Sequence, residues 1–170
     1  GCRIWRDFCT ADNADWMIEL CGAWLGDAHQ HSDWIVKHAL RSLVKAGDER
    51  VFPLLGYAIA PEVAASEIKL NKKRIAMGDA VNFSCDITAI GKAQNLVVDY
   101  VIYFMKANGK LAPKVFKLKN IVLAENESLS LNKSYSFKPI TTRRYHAGVH
   151  QLAIQVNGKE VARTEFKLVE

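Results

Sequence analysis

Six consecutive residues, Thr141-Thr142-Arg143-Arg144-Tyr145-His146, bring two guanidinium groups, two hydroxyls, a phenol and an imidazole together. These are groups that donate to phosphate oxygens and reach into a nucleic-acid groove. A second set, Lys37, Arg41 and Lys45, recurs every four residues, with His38 and Ser42 beside it. On a helix that spacing places all three cations on one face. Like charges four apart repel by a few tenths of a kcal/mol per pair, so the row does not help an isolated helix. It reads either as a solvated face near a helix C-terminus or as a row of phosphate contacts. Lys106, Asn108, Lys110, Lys114, Lys117 and Lys119 make a third basic stretch, and Lys72-Lys73-Arg74 a fourth. Alternating lysines also suit the solvent face of an edge strand, where they deter aggregation. An arginine pair in a turn has no such strand-face explanation.

Catalytic constellations are meagre. The chain has no GxSxG, no HExxH, no glycine-rich phosphate loop and no conspicuous carboxylate pair. His29 and His31 stand two residues apart with no cysteine or glutamate support, so no metal site is expected there. Cys2, Cys9, Cys21 and Cys85 form no CxxC and no regular framework, and are expected to be small buried apolar side chains. Asp7, Asp12 and Asp15 are assigned no catalytic role. No apolar run approaches the ~18–20 residues that span a bilayer. Residues Gly1 to Asp7 carry no apolar signal region. A cytoplasmic location, with no membrane partner, is the expectation, and the sequons at Asn82, Asn126 and Asn132 would then go unused.

The elements that must position these groups divide the chain in two. Overall the 170 residues carry a net charge of +5, which hints at a polyanionic partner without naming it. Residues 1–61 hold six basic and eight acidic side chains, net −2, together with all four tryptophans. Residues 62–170 hold 17 basic and 10 acidic side chains, net +7. In the first part Trp16, Met17, Leu20, Cys21, Trp24 and Leu25 form one apolar stripe of helical period, with Asp12 or Asn13 at its start and Gly26 at its end. Ser32 caps a second helix whose apolar face is Ile35, Val36, Ala39, Leu40, Leu43 and Val44, stopped by a left-handed Gly47. Asp48 caps a short third helix through about Tyr57. Two or three short antiparallel helices in 60 residues resemble the pairs of an α-solenoid. Residues 1–10 look like the interior of a helix, so the chain is expected to be the C-terminal piece of a longer protein.

From Ser66 onward helical periodicity gives way to strands, the first signalled by Ile68 and Leu70 alternating with polar residues. Val81, Phe83, Cys85 and Ile87 alternate with polar residues, as a half-buried strand does. Leu96 to Met105 is a β-branched and aromatic run closed by the turn Ala107-Asn108-Gly109-Lys110. Strands over 115–123, 129–137, 149–156 and 161–169 follow, the last two joined by Asn157-Gly158, a strong hairpin signal. Seven strands in about 105 residues fit an antiparallel immunoglobulin-like β-sandwich. The predicted fold is therefore α+β multidomain, a helical segment over 1–61 followed by a sandwich over 62–170. His150 falls where such domains usually carry a corner tyrosine, Cys85 at the first disulfide position and Leu152 at the second, so the inter-sheet disulfide cannot form.

The stretch from Trp34 to Asp48, followed by Leu54-Leu55-Gly56-Tyr57, resembles the last helical repeat of bacterial DNA alkylation repair proteins. Leu96 to Tyr100, Lys106 to Gly109, Pro113 to Lys119 and Thr141 to Tyr145 resemble the sandwich of the AlkC-type branch, in which an immunoglobulin-like domain follows a HEAT-like solenoid. The resemblance implies a glycosylase that excises cationic N-alkylated purines such as 3-methyladenine without metal or other cofactor. A cationic alkylbase is already a good leaving group, so a carboxylate that stabilises the oxocarbenium charge and orients water suffices. The family's catalytic groups lie in earlier repeats, so no catalytic residue is carried over. What remains is double-stranded DNA binding by an expected monomer, through Lys37, Arg41, Lys45, Lys106, Asn108, Lys110, Arg143, Arg144, Tyr145 and His146. The alternative is a non-catalytic protein-interaction module, which would expose an apolar patch beside the Thr141–His146 loop.

Overall fold

A computed structural model describes residues 13–25, 32–141 and 143–170. The reading of residues 1–10, Cys2, Cys9, the pair His29 and His31, Gly26 and Thr142 falls outside them. Helix α1 (Ala14–Trp24) turns Ala14, Met17 and Cys21 inward, one helical turn apart, and leaves Trp16 54% exposed. The segment predicted as one helix from Ser32 is divided into α2 (Ser32–Ala39) and α3 (Arg41–Ala46). The hydrogen bonds run on through the break, from Leu40 N–H to the Val36 carbonyl and from Val44 N–H to the Leu40 carbonyl, both 2.9 Å. Leu40 stays in the right-handed region at the break, with ψ flattened to −3°. Gly47 ends α3 at φ 75°, and Asp48 N–H returns to the Leu43 carbonyl at 3.1 Å, the bond that a left-handed residue makes possible.

Helix α4 (Val51–Leu54) is shorter than the predicted 48–57 segment. Proline at 53 gives no N–H to a further turn, and Gly56 turns the chain away at φ 76°. Arg50 holds α4 against α1 by bonding both Asp48 and Asp15. Met17, Cys21, Val36, Leu40, Leu43, Val51 and Phe52 pack into one small core.

The described residues that follow make nine strands in two sheets. β1 (Val63–Ala65) and β2 (Lys69–Leu70) pair in turn with one edge of β4 (Ala80–Ala89), and β7 (Ser128–Ser136) pairs with the other. The second sheet has the order β3-β9-β8-β5-β6, built from β3 (Arg74–Ala76), β9 (Lys159–Val169), β8 (Gly148–Val156), β5 (Gln94–Met105) and β6 (Leu111–Leu123). Only β3 runs parallel to its neighbour, because the chain leaves the first sheet after Leu70 and joins β9 in the second. One predicted strand thus becomes three short ones, shared between the sheets. The rest is the expected immunoglobulin-like sandwich.

Alternation fills the space between the sheets. Val81, Phe83, Cys85 and Ile87 of β4 are all buried, as are Leu96, Val98, Tyr100, Ile102 and Phe104 of β5. Cys85 is a buried free thiol, and Leu152 is buried in the same core. His150 is fully buried and does the work of a corner tyrosine. Its Nε2 lies 3.0 Å from the His146 carbonyl and its Nδ1 accepts from Met105 N–H at 3.4 Å, while the ring stacks on Phe166.

The β8–β9 turn joins the two cores. Asn157 and Gly158 both take positive φ (47° and 78°). The buried Asn157 amide accepts from Val97 N–H and donates to the Ala58 carbonyl, each at 2.8 Å. Gly158 lies so close to Gly47 that a Cβ there would sit 2.5 Å from the Gly47 Cα. Asn120 Nδ2 donates to the Tyr57 hydroxyl (3.1 Å) and Lys159 pairs with Glu49 (3.1 Å) across the same junction.

Candidate nucleic-acid interface

The helical row is a real row. Lys37, Arg41 and Lys45 all line one cleft of about 340 Å³ between α2–α3 and the β5–β6 hairpin, facing Tyr57, Val97, Asp99, Lys117 and Asn120. Sequence periodicity put the three cations on one face; the docking of the helices on the sandwich adds Lys117. A β-bulge makes that addition possible. Val98 pairs with Lys119 but Asp99 pairs with Lys117, so Leu118 is the extra residue and Lys117 comes level with Asp99.

Asp99 is only 4% exposed. Burial pushes its carboxyl up to about 6, against the opposing pull of Lys117, Lys45, the Leu118 N–H and Arg41. Sequence reasoning passed over this residue. The available signal was a lone carboxylate inside the apolar run Leu96 to Met105, a costly placement unless something compensates.

A second groove, of about 330 Å³, opens where the tip of the β5–β6 hairpin meets the loop before β8. It is lined by Lys106, Lys114, Arg143, Arg144 and His146 over Phe104 and Pro113. Lys106 and Lys110 are exposed at the tip, and Asn108 shapes it by accepting Lys110 N–H at 3.1 Å. Lys114 sits over the Phe116 ring, 5.4 Å from its centroid. Partial burial, then Arg143 and Lys45, hold the Lys114 ammonium below its ordinary pKa. Lys114 and Lys117 lie three residues apart on β6, the edge strand, so the two basic grooves meet along that edge.

The arginine pair divides on inspection. Arg144 is exposed. Arg143 stacks 4.3 Å over the Phe104 ring and its Nη1 donates to the Tyr135 hydroxyl at 3.3 Å. Tyr145, expected at the surface, is 9% exposed, and its hydroxyl lies 3.0 Å from that of Tyr135. The aromatic seam between β6 and β7 supplies the reason: Phe104, Phe116, Tyr135 and Phe137 meet there and draw both side chains in. Tyr145 is thus a core residue that sets the loop, not a ring offered to a groove. His146 is half-buried and spends its carbonyl on His150. Lys72, Lys73 and Arg74 lead into β3, at the opposite edge of the five-stranded sheet from β6.

Among the described residues no three of His, Cys, Asp or Glu are grouped to hold a metal ion. No described helix is long and apolar enough to cross a membrane.

The family described as "Uncharacterised protein YhaZ, C-terminal Ig-like domain" matches residues 64–170. Bacillus subtilis (strain 168) YhaZ is 36% identical over 152 residues, which make up 89% of this chain and 42% of that protein. Among solved structures, the Pseudomonas fluorescens alkylpurine DNA glycosylase AlkC, bound to DNA containing an abasic site analog, is similar with a TM-score of 0.89 and 32% identity. That likeness covers 94% of this chain and 44% of AlkC, helices included. A Listeria innocua β-glucosidase shares the sandwich with a TM-score of 0.53 at 14% identity over 64% of this chain and 16% of the enzyme, a likeness of fold alone. The chain thus spans less than half the length of YhaZ and of AlkC. Its sandwich lies within the matched residues, and the chain belongs to the family of the YhaZ C-terminal immunoglobulin-like domain.

Proposed function

We propose that this chain is the duplex-gripping C-terminal part of a DNA alkylation repair protein, one that excises cationic N-alkylated purines such as 3-methyladenine. In this reading residues 1–61 are the end of a HEAT-like solenoid and residues 62–170 a sandwich that holds the DNA from another side. No residue of the chain is given a catalytic role. The observation that carries the reading is the edge strand β6, which gives Lys117 to the cleft shared with Lys37, Arg41 and Lys45 and Lys114 to the groove shared with Arg143 and Arg144. In this reading one basic surface wraps the β6 edge from α2–α3 to the Arg144 loop and follows a phosphate backbone. The DNA-bound AlkC structure supports the same partner.

Fluorescence anisotropy with a labelled duplex tests it. Replacing Lys37, Arg41 and Lys45 by alanine, or Lys114 and Arg144, should each weaken binding about tenfold or more at low salt. Replacing Lys72, Lys73 and Arg74 at the far edge should change it by less than about twofold. Equal losses from both edges would overturn the assignment of a face. A second reading has one observation in its favour: Ile140 (50% exposed) and Met77 (38%) flank the Arg143 loop, as a protein-docking module would have them. That reading expects Ile140→Ser to abolish capture of a protein partner while duplex affinity stays unchanged.

A further inference from the structure

A buried carboxylate facing four cations from two different parts of the fold is an unusual arrangement for a surface that only needs to be positive. Lys37 comes from α2, Arg41 and Lys45 from α3, and Lys117 from β6; all four line the cleft whose inner wall carries Asp99. The side chain of Asp99 is almost withdrawn from water, at 4% exposure. Lys117, Lys45, the Leu118 N–H and Arg41 all pull against the effect of that burial. Among the described residues none of the four cations is joined to it by an ion pair. The cleft thus holds an excess of three positive charges, room of about 340 Å³, and an internal negative charge that partly screens them.

We propose that this cleft between the helices and the sandwich is a phosphate-binding site, in which Asp99 acts as an internal counter-ion that an incoming phosphate must oppose. The proposal rests on the DNA-binding reading above and adds to it a residue and a rule. A phosphate entering the cleft brings a second negative charge beside a carboxylate in low dielectric, where such repulsion is strong. The cheapest relief is for Asp99 to take a proton from solvent, so phosphate binding is coupled to proton uptake at its carboxyl oxygen. A carboxyl already held near 6 by burial needs little further push to do so at neutral pH. The titratable and charged groups that face Asp99 are Lys37, Arg41, Lys45 and Lys117, with the Tyr57 phenol at the rim. Asp99 is accordingly a positioning residue: its charge stands among four cations in the free protein and sets how tightly the cleft takes an anion.

The rule is readable as a ratio. Duplex affinity would be measured for the whole chain and for Asp99→Asn, an isosteric change that keeps an acceptor for the Leu118 N–H, at pH 5.0 and pH 8.0. Asp99→Asn is expected to bind about fivefold to tenfold tighter than the native chain at pH 8.0 and equally at pH 5.0, where the native carboxyl is already neutral. Histidines elsewhere act on both proteins alike and cancel from the ratio. Thermal unfolding of each variant establishes that it is folded, and Lys117→Gln provides the opposite perturbation, weakening binding at both pH values.

Inorganic sulfate, a dianion across this range, separates the two sources of the anion when used at a few millimolar, below its general stabilising range. A sulfate-dependent rise in Tm that is larger in Asp99→Asn at pH 8.0, without any duplex effect, would keep the anion site and overturn the DNA reading. A duplex ratio of one at both pH values, with no difference towards sulfate, would overturn the site and leave the DNA reading standing. Weaker duplex binding by Asp99→Asn at pH 8.0 would overturn it as well, because a purely structural carboxylate behaves that way.

Discussion

His150 occupies a place where its protonation state is dictated from both sides. Met105 donates an N–H to Nδ1, so the proton must be on Nε2, which donates to the His146 carbonyl. Phe104, Phe137 and Phe166 surround the ring, and burial lowers its pKa from the ordinary histidine value. The unfolded chain takes up a proton near 6.5 while the folded ring resists it. Its contribution to stability is therefore complete above pH 6.5 and is lost as pH falls below that value. Asp99 has the opposite sign: its raised folded pKa gives stability that is present near pH 4 and lost as pH rises through about 6. His150→Gln should flatten the acid loss of Tm, since an amide stays neutral, at about 1–3 kcal/mol for the vanished ring packing. Asp99→Asn should raise stability at pH 7.5 by on the order of 1–2 kcal/mol. Urea unfolding at pH 5 and pH 7.5 checks both; an unchanged pH profile in His150→Gln would contradict the tautomer argument. The position of His150 was legible from its place two residues before Leu152, whereas the fates of Arg143 and Tyr145 were not. Their partners, Phe104 and Tyr135, are distant or non-periodic in sequence, and only the closed seam brings them together.

Among the elements, the β8–β9 turn carries more than a hairpin needs. Asn157 and Gly158 read in sequence as a tight turn, and they make one, yet the same two residues also join the sandwich to the helices. Gly158→Ala places a methyl 2.5 Å from the Gly47 Cα and about 3.1 Å from the Phe52 ring, at a φ of 78° that disfavours a side chain. The expected result is a loss of about 2–4 kcal/mol and faster proteolysis between residues 55 and 62, with the β-sheet circular dichroism retained. A substitution without effect would show that the contact does not couple the two cores. Alternation made β4 and β8 readable, and Gly47 with its helical stripe made the end of α3 readable. The breaks were not. A strand that changes sheets between Leu70 and Arg74 has no periodic signature, and Leu40 keeps both its hydrogen bonds and a right-handed backbone at the break.

Across the whole molecule, charge is the property that survives every level of description. A slightly acidic helical segment contributes one basic row, a strongly basic sandwich contributes Lys114, Lys117 and Arg144, and docking at the Asn157-Gly158 turn puts them side by side. Sequence alone named most of these cations but could not say that Lys72, Lys73 and Arg74 belong to the other edge, because strand order is set by pairing rather than by spacing. The central claim is that this composite face neutralises several phosphates of one duplex at once. Duplex affinity against salt concentration measures that number directly, because each neutralised phosphate releases about 0.9 counterion. The account predicts a log–log slope of about −4 to −6 for the intact chain, shallower by about 1 for each of Lys45, Lys117 and Arg144 removed. A slope near zero, or one unmoved by these substitutions, would contradict it.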